Sequence, residues 1–129
     1  MGLLLCLLLS ACNLDLAGNV TPSPTPDLPR VMITSPANNT RVIEDIEFEF
    51  EIVARDETAG IAKVELYVDD ELINDSSPPD ATAVPVFVVK MNWKARGIGQ
   101  HFVEVIPYRP DGTRGDSATL TVEVIPAEE

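Results

Sequence analysis

The clearest pattern along the chain is Ile46-Glu47-Phe48-Glu49-Phe50-Glu51-Ile52, in which apolar residues and glutamates alternate without a break. Successive side chains of a strand face opposite sides. A period of two therefore predicts a strand that turns Ile46, Phe48, Phe50 and Ile52 into a core and leaves three carboxylates in water. A helix would scatter those carboxylates around its circumference. The same reasoning predicts a strand over 61–68, with Val64, Leu66 and Val68 inward and Lys63, Glu65 and Tyr67 outward. It predicts another over 117–125, with Leu120, Val122 and Val124 inward. A long β-branched run over 84–94 contains Trp93, and 101–109 reads as a further strand. Residues 31–34 supply a short first strand and 71–74 a short edge strand. Turn-forming clusters separate these runs at 35–39, 56–60, 69–70, 75–80, 97–99 and 110–115. No segment carries a helical period. About seven strands at this spacing predict an all-β, antiparallel two-sheet β-sandwich.

Two of these runs are apolar on both faces. If Val103, Val105 and Pro107 face the core, then Phe102, Ile106 and Tyr108 lie on the outer face of the same strand; Val84, Val86 and Val88 do the same on theirs. An apolar outer stripe is a candidate contact surface for a partner. The competing reading is that loops cover it, or that a bulge swaps the faces.

The first residues follow a different rule. MGLLLCLLLSAC is an unbroken apolar run of roughly 10 residues, too short to cross a bilayer as a helix, and it reads as the apolar region of a secretory signal. Leu9-Ser10-Ala11-Cys12 resembles the lipobox of bacterial lipoproteins. That resemblance implies cleavage after residue 11 and fatty acylation of Cys12 by diacylglycerol and palmitate-type chains. It also implies a membrane held through this lipid anchor, with the rest of the chain in the cell envelope outside the cytoplasm. Residues 12–30 continue with four prolines between positions 22 and 29, which bias the chain to polyproline II and make a stand-off tether. The expected organisation is a signal peptide over 1–11, the lipidated Cys and tether over 12–30, one folded domain over 31–126 and an acidic tail over 127–129. Cys6 lies in the removed segment, so the domain is expected to fold without a disulfide.

Val31-Met32-Ile33-Thr34-Ser35-Pro36-Ala37-Asn38, then Gly60-Ile61-Ala62-Lys63-Val64-Glu65-Leu66-Tyr67-Val68-Asp69, resemble the bacterial Ig-like modules of envelope proteins. Trp93, Gly99-Gln100-His101-Phe102-Val103 and the closing strand continue the similarity. The resemblance implies an Ig-like or fibronectin III-like sandwich and a non-catalytic binding, adhesion or spacer module. Its partner would be another envelope protein or a surface polymer. The alternative is a polysaccharide-binding or accessory subunit of an enzyme that acts on surface polymers.

Charge narrows the field. With 21 acidic against nine basic residues the formal charge is −12, which disfavours nucleic acid, since phosphate neutralisation needs clustered Lys and Arg. One histidine and no cysteine beyond Cys12 leave no zinc set, and no serine has a nucleophile-elbow signature beside His101. The chain is therefore expected not to be an enzyme and to need no cofactor. Asp56, Glu57, Asp111 and Asp116 should gather at one end of the sandwich, either as a weak Ca²⁺ site of oxygen ligands or as acidic loops neutralised by Arg55, Arg109 and Arg114. Arg114-Gly115-Asp116 matches the integrin-binding tripeptide of fibronectin type III loops, but Gly and Asp are also ordinary turn residues there. His101 is expected to be partly buried and hydrogen-bonded, and Trp93 to anchor the core.

Overall fold

The computed structural model describes residues 27–127. The signal, the lipobox with Cys12, most of the tether and the last two residues lie outside that range. Eight strands run in the order β1 Arg30–Ser35, β2 Thr40–Ile43, β3 Glu47–Arg55, β4 Lys63–Val68, β5 Glu71–Ser76, β6 Val86–Lys94, β7 Gly99–Tyr108 and β8 Ala118–Ile125. One 3-10 turn, Pro79–Ala81, sits between β5 and β6.

The strands form two facing sheets. One has the order β1-β3-β6, the other β2-β8-β7-β4-β5. All pairings are antiparallel except β2 with β8, which run parallel through Thr40↔Val122 to Ile43↔Ile125. The expected two-sheet sandwich is correct in kind, with one strand more than the seven expected. The additional strand is β2. The chain leaves the first sheet after Ser35, turns through residues 36–39 and joins the second sheet, so its opening segment serves both.

The alternating pattern does what it predicts over most of β3. Phe50, Ile52 and Ala54 are fully buried, and Phe48 packs edge-on against Phe50 with ring centroids 5.2 Å apart. Across the interior stand Val64, Leu66 and Val68 of β4, Val103 and Val105 of β7, and Leu120, Val122 and Val124 of β8. The described residues contain no cysteine, so this packing alone holds the sheets together.

Ile46 does not join the core. It precedes β3, where its N–H reaches the Ile43 carbonyl in the turn after β2, and it stays 56% exposed. The apolar period runs one residue past the start of the ladder.

The ends of the sandwich are distinct. Arg30 is opposite Arg55, and Arg30 also bridges Asp116 beside the start of β8, so residue 27 enters at the end that holds the 56–60 and 109–116 loops. The β4–β5 turn and the β6–β7 loop lie at the other end. That first turn is only Asp69-Asp70, both with positive φ (50° and 67°), the backbone form a two-residue hairpin requires.

Candidate functional site

At the entry end, Asp56 is buried at the close of β3 and Arg109 follows β7. The Arg109 guanidinium donates from Nε to Asp56 Oδ2 at 2.6 Å and from Nη2 to Oδ1 at 3.1 Å. Nη2 also donates to the Asp27 carbonyl at 2.7 Å. This two-pronged bond holds the Asp56 carboxyl below its ordinary range. Asp111 is also depressed, mainly by Thr113, whose N–H it accepts at 2.9 Å. The acidic residues named from the sequence therefore do share an end, but both Asp56 oxygens are engaged by the Arg109 guanidinium. Glu57 and Asp116 are exposed. No group of three or more His, Cys, Asp or Glu able to hold a metal ion occurs among the described residues.

The Arg114-Gly115-Asp116 segment is pinned rather than displayed. The Gly115 N–H donates to the Pro107 carbonyl at 2.8 Å and the Asp116 N–H to the Pro29 carbonyl at 2.9 Å. Gly115 is buried against Pro29, and a β-carbon there would run into the Pro29 backbone. Arg114 reaches back toward Glu104 at 3.9 Å. A projecting loop would leave this backbone free.

The apolar outer residues do not make one surface. Val84 is half-buried, and Val86 and Val88 are exposed on the three-stranded sheet, where Val53 separates Val88 from Met32. Phe102, Ile106 and Tyr108 belong to the five-stranded sheet, on the opposite side of the molecule. Phe102 is exposed, Tyr108 half-buried, and Ile106 is only 3% exposed, contrary to its expected role in a contact stripe. Ile106 faces Glu65 across the β4–β7 ladder, and Glu65, expected in water, is itself buried there. Its carboxylate accepts the Tyr67 hydroxyl at 3.2 Å and pairs with Lys63 at 3.5 Å. The Lys63 ammonium lies 4.7 Å from the Tyr108 ring centroid. Burial opposes ionisation of Glu65, but Tyr108, Lys63 and Tyr67 outweigh it and lower its pKa. Burial and that same carboxylate push Tyr108 up to about 12. These groups roof Ile106.

At the far end lies a constellation that sequence patterning missed. His101 opens toward the β4–β5 turn, with Nδ1 2.5 Å from Asp69 Oδ2 and Nε2 against the Gly97 carbonyl. Asp69 Oδ1 accepts the Phe102 N–H at 2.9 Å. The imidazole meets Trp93 edge-on, 5.3 Å between centroids. Both ring nitrogens face acceptors, so the doubly protonated ring is the form that satisfies both. Burial alone would lower this pKa; the Gly97 carbonyl and Asp69 carboxylate overcome it and raise it. Beside these residues a cleft of about 400 Å³ opens between the sheet edges, with Val68 and Ile73 as its apolar wall and Lys94, Arg96 and Glu71 on its border. The sequence signals were His101 and Trp93, which lie on different strands with the 95–98 connection between them, so no single element's period links them.

An all-β sandwich of this topology defines an Ig-like or fibronectin III-like module. The chain belongs to the bacterial Ig domain family, whose model matches residues 29–124. Solved structures agree on the fold. The fibronectin(III)-like modules of Clostridium thermocellum CbhA are 24% identical, covering 77% of this chain and all of that one, with a TM-score of 0.64. A CARDB domain from Pyrococcus furiosus, solved with di-metal ions, is 16% identical over 81% of this chain and 99% of its own, with a TM-score of 0.57. The SrpA adhesin of Streptococcus sanguinis is 13% identical over 81% of this chain and 60% of its own, with a TM-score of 0.55. No curated protein sequence matches the chain.

Proposed function

We infer that this chain is a non-catalytic envelope lipoprotein: a lipid on Cys12 anchors it, the proline-rich segment stands it off, and the Ig-like domain serves as a binding or spacer module. The observation that carries the reading is the fixed geometry at residue 27. Arg109 ties Asp27 of the tether to Asp56, while the β4–β5 and β6–β7 connections lie at the opposite end. A module clamped at its entry presents those loops away from its point of attachment. The adhesin and the fibronectin(III)-like modules among its structural neighbours are compatible with this role.

Metabolic labelling with a fatty-acid analogue tests the anchor. The native chain is expected to take up label and the Cys12→Ala chain to lose it; label retained at equal level in the variant overturns lipidation at this residue. Crosslinking in intact cells tests the module, with a protein or surface polymer captured through the domain as the expected result.

A further inference from the structure

The far-end cleft has the chemistry of a ligand site. Its volume of about 400 Å³ falls within the roughly 300–1,000 Å³ of small-molecule sites. Its charge also runs against the rest of the chain. Arg41, Lys63, Lys90, Arg109 and Arg114 each have a carboxylate within 4.0 Å. Lys94 and Arg96, both exposed on the border of the cleft, have none among the described residues. The same is true of Arg30 and Arg55 at the opposite end, but only Lys94 and Arg96 converge on a cleft beside a histidine. Glu47 is the cross-strand neighbour of Lys94. Of the two acids bordering the cleft, Asp69 is already engaged by His101 and by the Phe102 N–H. Glu71 is left as an acceptor. Two unpaired cations, one imidazolium and one available carboxylate suit a ligand that carries both an acidic group and hydroxyls.

We propose that this cleft binds an acidic saccharide, with its carboxylate or phosphate on Lys94 and Arg96 and a hydroxyl on Glu71. The guanidinium fork of Arg96 matches either anion with two parallel hydrogen bonds. His101 is a positioning residue. It fastens the Gly97 carbonyl, next to Arg96, to Asp69 of the β4–β5 turn. The charged groups around the imidazole are Asp69 from that turn, Glu71 from β5, Lys94 from β6 and Arg96 from the β6–β7 loop. Loss of the ring proton leaves one of its two bonds unmade and frees the loop that carries Arg96, so binding weakens as pH rises. The inference rests on reading the domain as a binding module and is independent of the lipid anchor.

Trp93 is the chain's only tryptophan and borders the cleft, so its emission reports occupancy directly. The full chain in detergent is titrated with oligogalacturonate, a phosphorylated oligomannoside, inorganic phosphate and a neutral cello-oligosaccharide. A saturable change with one of the two acidic oligomers is expected and names the source of the anion. The Lys94→Gln/Arg96→Gln chain should bind about tenfold or more weakly, Lys90→Gln on the same strand should bind as the native chain does, and affinity should fall between pH 6 and 8.5. The proposal is overturned by an equal response to the neutral sugar, by inorganic phosphate binding as well as the oligomers, or by no response to either acidic oligomer at millimolar concentration. Binding unchanged in the double variant overturns it as well. A partner still captured by crosslinking after such a failure would leave the binding module standing and remove only the acidic saccharide.

Discussion

His101 and Asp69, 32 residues apart in sequence, meet at 2.5 Å and join the β6–β7 loop to the β4–β5 turn. The pKa of His101 is raised above its ordinary 6.5 because the Gly97 carbonyl and Asp69 carboxylate outweigh burial. That of Asp69 is lowered below 3.8 because the Phe102 N–H and His101 outweigh its own burial. A raised histidine contributes its full stability below its unfolded value and loses it as pH climbs through the folded one. A depressed aspartate contributes above its unfolded value and loses it as pH falls through the folded one. The denaturation midpoint should therefore be highest at roughly pH 4–6.5 and decline toward pH 8. His101→Gln should remove the alkaline decline, and a native midpoint that is flat between pH 6 and 8 would contradict the linkage. NMR titration of Asp69→Asn should show the imidazole pKa moving down.

Arg109 and Asp56 make a test of coupling. Arg109→Ala strands a carboxylate whose side chain is only 1% exposed, while Asp56→Ala and Arg109→Met together remove both charges. The single replacement of Arg109 should destabilise more than the double replacement, because an unpaired buried charge costs more than the pair contributes. Chemical denaturation of the two chains ranks them; the opposite order would show that the ion pair itself supplies net stability.

Gly115 has no room for a side chain. Its φ is not in the left-handed region, so the constraint is steric, and Pro29 is the obstacle. Gly115→Ala should cost roughly 1–3 kcal/mol by overpacking and loosen residues 27–30 from the domain. A lower melting temperature with faster proteolysis at Arg30 is the expected pair of results; an unchanged melt means the tether residue shifts freely.

Ile106 and Val88 both occupy outer faces, yet one is 3% and the other 66% exposed. Ile106→Ala should destabilise by about 2–5 kcal/mol, as for a core deletion, whereas Val88→Thr should stay within about 0.5 kcal/mol. Equal effects in equilibrium unfolding would show that the roof of Glu65, Tyr67, Tyr108 and Lys63 does not seal Ile106.

Much of this architecture is written in period-two alternation. Phe50 and Ile52, Val64 to Val68, and Leu120 to Val124 face inward as their spacing requires. Alternation cannot reveal β2, because Thr40-Arg41-Val42-Ile43 holds one buried residue and pairs with a strand about eighty positions later. Nor does parity say what will cover an outward residue: Ile106 is hidden although it faces outward, opposite the buried Glu65 of β4. The 56–60 and 109–116 loops could be placed at one end from the order of strands, but the pairing of Asp56 with Arg109 depends on side-chain reach. The far-end cleft was least legible. Its parts come from β4, β5, β6 and β7, and none of them forms a local motif.

The transfer of the opening segment from one sheet to the other has a mechanical consequence. A pull between residue 27 and the far loops is directed along the strands, and β1 and β2 must slide against β3 and β8 before either detaches. Their ladder bonds then share the tension in shear and break together, whereas a strand peeled from its end would lose them singly. Loaded between its entry and its far loops, such a domain would resist extension best along the direction of its strands.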